Sequence, residues 1–104
     1  MNTRDLQTGV ELIRKDFNLD AQELSIPEAS LSEDAILEKL TRIIAYLLEK
    51  DFSRLLQVLY RIDVAEERLK AALAAEAGEP AQVIACMIFE REMQKVETRR
   101  KYSS

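Results

Sequence analysis

An all-α fold, a compact bundle of four to five helices with a long, central C-terminal helix, follows from three observations on this 104-residue chain. Apolar side chains recur at intervals of three and four along most of its length, the period of an amphipathic helix. Glycine and proline occur only twice each, too few for the turn signals that a β-sandwich or barrel needs about every 8–12 residues. Charged residues make up 33%, above the usual quarter, which suits a surface made of helices. The apolar fraction of 47% supplies a core, and residues 1–104 read as a single helical domain with residues 1–3 and 102–104 as frayed ends.

Leu6, Val10, Ile13 and Phe17 form one stripe, which predicts a first helix from about residue 4 to 17. Gly9 inside it costs about 1 kcal/mol relative to alanine, so it marks either a close helix approach or a weak helix near a terminus. Residues 18–31 break the period, and Pro27 disfavours a helical Ile26. Asp20 and Glu23 have capping-box spacing and are expected to start a single turn. Leu19, Leu24, Ile26 and Leu31 tie this irregular connecting segment to the core.

Ser30 or Ser32 then caps a strong helix, Ser30 with Glu33 having the capping-box spacing. Its wide apolar face is Ile36, Leu37, Leu40, Ile43, Ile44, Leu47 and Leu48, and Glu38 and Arg42 pair behind it in the favourable order. Asp51 either caps a shorter helix with the stripe Phe52, Leu55, Leu56 and Leu59 or lies within one continuous helix over 33–60. Asp63 with Glu66 has the spacing of another capping box. It predicts a helix over 64–77 that packs through Ala65, Leu69, Ala72 and Leu73 and stops at Gly78. Pro80 opens the last helix, expected to run to about residue 100. Its first half, Val83 to Phe89, is apolar all round and is expected at the centre of the core. Its second half is polar except for a narrow stripe of Phe89, Met93 and Val96, and Arg99, Arg100 and Lys101 complement the negative end of its dipole.

Histidine is absent, which removes a Ser-His-Asp triad, a Cys-His pair and histidine metal ligands. The single cysteine, Cys86, removes an intrachain disulfide and any cysteine-cluster metal site; among Ala85, Met87 and Ile88 it reads as a buried, inert thiol. No glycine-rich loop exists to cradle a phosphate. Neither a catalytic residue nor a cofactor or metal ligand is therefore assigned. Carboxylates alone remain open as a magnesium site, as in all-helical nucleotide pyrophosphohydrolases with paired E-x-x-E and E-x-x-D motifs. The pairs Asp20/Glu23, Asp63/Glu66 and Glu76/Glu79 have that spacing, but the first two read as helix caps and the third straddles Gly78.

The net charge of −4 disfavours nucleic acid as a partner, because phosphate neutralisation dominates that affinity. The turn around Arg61-Ile62-Asp63 superficially resembles a helix-turn-helix, yet its second helix would open with Asp63, Glu66 and Glu67, acids that phosphates repel. Charge is unevenly spread. Residues 1–38 carry three bases and nine acids, and residues 89–104 five bases and three acids. Opposite ends are expected to attract within one molecule or between protomers, while a basic end that recruits an acidic partner is the competing reading. The polar start, the want of any run approaching eighteen apolar residues and the lone thiol make the cytoplasm the expected compartment and leave no role for a membrane.

The stretch Leu59 to Val64, Pro80-Ala81 and Glu90 to Val96 resembles a group of small all-helical bacterial proteins with no assigned function, over roughly residues 36–100. The resemblance implies a bacterial, soluble, single-domain protein and carries over no catalytic residue. The functional expectation is a non-enzymatic helical interaction or structural module. Its partner would be another protein or a second copy of itself as a homodimer. The contact candidates are Phe89, Met93, Val96, Arg99, Arg100 and Lys101 on the last helix. The alternative is a carboxylate and magnesium-dependent phosphohydrolase. A 20-residue helix of about 30 Å outreaches the roughly 26 Å expected for a domain of this size, so its distal stripe needs a cover. The first helix, the 18–31 segment or a partner are the candidates.

Overall fold

The computed structural model describes residues 2–20, 22–74 and 79–102. Among them are five α-helices and no strand: α1 Thr3–Phe17, α2 Glu33–Lys50, α3 Phe52–Ile62, α4 Glu66–Ala74 and α5 Pro80–Tyr102. A 3₁₀ turn, Glu28–Ser30, lies before α2. At 23 residues, α5 is about 35 Å long, close to the 40 Å long axis of the particle. All four other helices pack on it, α2 most extensively and α1 next. Ile84, Ala85, Met87, Ile88 and Phe89 are buried, as the apolar run requires, while Val83 and Cys86 are half-buried. No described helix is long and apolar enough to cross a membrane.

The ends of the helices explain most of the boundaries. Asn2 Oδ1 accepts from the Asp5 N–H at 2.8 Å to start α1, and Asn18 stops it in the left-handed region at φ 56°, where asparagine is among the few residues at ease. The Asp20/Glu23 pair forms its reciprocal cap: Asp20 Oδ1 accepts from the N–H groups of Gln22 and Glu23, and Glu23 Oε1 from that of Asp20. Leu24 then plugs the core completely, with Leu19, Ile26 and Leu31 packed at its edge.

The structure decides two open alternatives and corrects three expectations. Ser32, not Ser30, caps α2, accepting from the Ala35 N–H at 3.1 Å; Ser30 closes the 3₁₀ turn instead. Asp51 separates α2 from α3 by adopting φ −155°, ψ 68° and capping the Arg54 N–H at 3.2 Å, which resolves one helix against two. The core face of α3 is Leu55, Val58, Leu59 and Ile62, turned away from Phe52 and Leu56. Asp63 ends α3 in the left-handed region at φ 70° rather than capping α4, and α4 starts at Glu66. There Leu69 and Ala72 are buried, whereas Ala65 and Leu73 are exposed. The expected stop at Gly78 and the carboxylate Glu76 lie outside the described residues.

Candidate functional site

The sequence pointed to the distal half of α5, and the structure covers that stripe from within the chain. Phe89, Met93 and Val96 are only 4%, 9% and 4% exposed. Of the covers considered, α1 is the one found. Gly9 makes the approach possible: a Cβ there would stand 2.6 Å from Met93 Sδ, inside any real contact distance. The close-approach reading of Gly9 is thus the correct one, and a partner is not needed to bury the stripe. Met87 and Met93 fill the core, as expected of adaptable side chains.

Under the same helix lies a residue that periodicity alone left among the polar ones. Glu92 is fully buried, and neither of its carboxylate oxygens accepts a hydrogen bond. Lys95 Nζ stands 3.1 Å from Glu92 Oε1, without the alignment of a hydrogen bond, and 3.5 Å from Asp16 Oδ2 on α1. Burial, with the neighbouring Asp16 carboxylate, pushes the Glu92 carboxyl up to about 7, and Lys95 opposes the shift. A proton on Glu92 supplies the donor that the Asp16/Glu92 pair otherwise lacks. Arg61 on α3 donates to the Asp16 carbonyl at 2.9 Å and Arg54 to that of Phe17 at 2.8 Å, which fixes the end of α1 over the pair. The cluster joins α1 to α5 through Lys95, which faces both carboxylates.

The charge asymmetry appears as ion pairs within the molecule, Asp16 with Lys95 and Asp5 with Arg100 at 2.9 Å. Arg99, Arg100 and Lys101 all remain exposed on the last turns of α5, with Lys101 held to Glu97 at 3.4 Å. A cavity of about 660 Å³ runs beside α5, along Phe89, Met93 and Val96, and carries four carboxylates, Asp5, Glu33, Glu90 and Glu97. They line it without converging: among the described residues no three acids come close enough to hold a metal ion. The separate motif pairs fare no better, since Asp20 and Glu23 cap each other and Asp63 faces Arg91 at 3.6 Å. Cys86 is half-buried rather than fully enclosed.

Spacing assigned the outer face of α3 to the core, and there the structure leaves apolar surface bare. Phe52 and Leu56 are 41% and 40% exposed, and Tyr60 is 89% exposed. Beside them a cavity of about 510 Å³ lies between α3 and α4, walled by Leu56, Leu59, Tyr60, Val64 and Leu69. Asp63, Ala65 and Glu66 complete its lining. No family model, no curated protein and no solved structure matches this chain, so the resemblance noted in the sequence contributes no residue to the site.

Proposed function

We propose that the chain is a non-enzymatic helical interaction module that pairs with a second copy of itself through the outer face of α3. The observation that carries this reading is the bare stripe Phe52, Leu56, Tyr60, three of the six large apolar side chains exposed among the described residues, on one helix face beside a largely apolar cavity. The occupant follows from the order of the stripe. It reads aromatic, leucine, aromatic, at positions i, i+4 and i+8. An antiparallel two-fold axis at Leu56 sets each Phe52 against the partner's Tyr60 and leucine against leucine, the self-complementarity that an isologous interface requires.

Magnitudes set the expected strength. Each of the six side chains has on the order of 1 kcal/mol left to gain, because Phe52 and Leu56 are already partly covered. That gross gain of about 6 kcal/mol is of the size of the association cost, roughly 4–15 kcal/mol, so a dimer with a Kd near about 100 μM, a net of about −5.5 kcal/mol, draws a contribution of comparable size from the neighbouring cavity. Sedimentation equilibrium from about 10 μM to about 1 mM is expected to show a monomer–dimer transition near about 100 μM. Leu56→Glu places two like charges on the axis and should leave a monomer throughout. A wild-type chain that stays monomeric over the whole range overturns the reading.

A further inference from the structure

Where the first turns of α1 meet the last turns of α5, a cavity of about 410 Å³ is lined by three arginines, Arg4, Arg99 and Arg100. One acid, Asp5, the polar side chains of Asn2 and Thr8, and Val96 complete it. Two of its arginines, Arg4 and Arg99, differ from the others in the chain. Arg14, Arg54 and Arg61 donate to backbone carbonyls. Arg42, Arg68 and Arg91 face the carboxylates of Glu38, Glu90 and Asp63. Arg100 donates to Asp5, whose side chain is largely buried, so this guanidinium is anchored while most of its five N–H donors stay unspent. Among the described residues Arg4 and Arg99 are the two arginines with neither kind of partner, and both line this one cavity.

A chain of net charge −4 has acids to spare, yet here it gathers three cations around one. The uncompensated charge of the lining is +2, so a singly charged carboxylate would leave one arginine unmatched. A phosphate monoester carries about −1.5 to −2 at neutral pH and three acceptor oxygens. The planar arginine forks match those oxygens in pairs. The Asn2 carbonyl oxygen is occupied by the Asp5 N–H and the Thr8 hydroxyl donates to the Arg4 carbonyl at 3.0 Å, which leaves the Asn2 amide nitrogen as a further donor. From these observations we infer that the α1–α5 cavity is an anion site for a phosphate monoester, held by Arg4, Arg99 and Arg100. The inference is independent of the pairing face on α3, since it uses the opposite set of residues and a different observation.

The test is a titration of the full chain at low salt, first with inorganic phosphate and then with O-phosphoserine, following the arginine Nε–Hε resonances. Both probes are expected to shift Arg4 and Arg99 saturably, with a Kd of about 1 mM. Affinity should rise as the phosphate gains its second charge near pH 6. The double variant Arg4→Gln, Arg99→Gln removes two exposed, unpaired side chains and should fold as before by circular dichroism. Its affinity should fall at least about tenfold. Arg42→Gln removes the same kind of charge outside the cavity and should change nothing. Non-saturating shifts, or an equal loss in Arg42→Gln, would reduce the effect to general screening and overturn the site. Binding of inorganic phosphate with exclusion of O-phosphoserine would overturn the ligand class.

Discussion

On α5, Phe89, Met93 and Val96 are buried, Met93 against Gly9 of α1, whereas on α3 Phe52, Leu56 and Tyr60 face outward, although both sets recur at helical spacing. Spacing identifies a stripe, and only the rest of the chain decides whether it is covered. A glycine on α1 opens the way for Met93, and the Asp16/Lys95/Glu92 cluster and the Asp5–Arg100 pair hold the cover in place. The outer face of α3 has no such counterpart, because α1, α2 and α5 contact this helix from its other side through Leu55, Val58, Leu59 and Ile62.

The sharpest way to break this comparison is to truncate one residue of each stripe. Phe89→Ala removes a ring that is only 4% exposed and should cost about 3–5 kcal/mol in urea unfolding. A loss below about 1 kcal/mol would mean that Phe89 is not buried in solution and that the two stripes do not differ.

The covered face also holds the acid pair, which gives it a pH dependence the bare face lacks. Folded, Glu92 keeps its proton up to about pH 7, while in the unfolded chain it releases it near 4.5. Between those values the folded state binds more protons, so this group's contribution to stability is full below about 4.5, declines as pH rises and is lost above about 7. The decline is on the order of 3 kcal/mol. To isolate this one group, the measurement is wild type against Glu92→Gln. The variant should be close to wild type at pH 4.5 and more stable at pH 8. A difference that does not change with pH would show that Glu92 is ionised where it is buried.

Gly9 is the next test in order of size. Alanine there gains about 1 kcal/mol of helix propensity but forces Met93 aside. Overpacking costs about 1–3 kcal/mol, so Gly9→Ala should lose on the order of 1 kcal/mol net. In a Met93→Ala background the obstruction is gone and the same substitution should stabilise. Equal effects in both backgrounds would separate Gly9 from Met93.

Much of the fold was legible because its signals are local. Caps such as Asp20 with Glu23, the apolar run Val83 to Phe89 and the face of Ile36, Leu40, Ile44 and Leu47 each act within a few turns of helix. The surfaces were less legible because they depend on distant pairings. Phe52 and Leu56 look like core until α3 is rotated by Val58 and Ile62, which share its opposite side. Glu92 looks like solvent-facing charge, although it lies one turn from Ile88 and one from Val96, both buried. That register was the available signal, and the type of side chain obscured it. Arg4 and Arg99 are separated by almost the whole chain, so nothing short of the α1–α5 packing brings them to one cavity.

The smallest effect on stability is expected on the bare face, and it carries the comparison's other half. Leu56→Ser removes a large apolar group from a side chain already 40% exposed. In the monomer the change should stay within about 0.5–1 kcal/mol, because little packing is lost and α3 keeps its core face of Leu55, Val58, Leu59 and Ile62. In the dimer the same change acts twice, at the two-fold axis, and should weaken association at least about tenfold. The stability experiment is run at about 5 μM, where the wild type is monomeric, and the association experiment near about 500 μM. A large loss of monomer stability would place Leu56 in the core and erase the difference between the two stripes. Unchanged association with intact stability would leave the stripe exposed and the pairing face elsewhere.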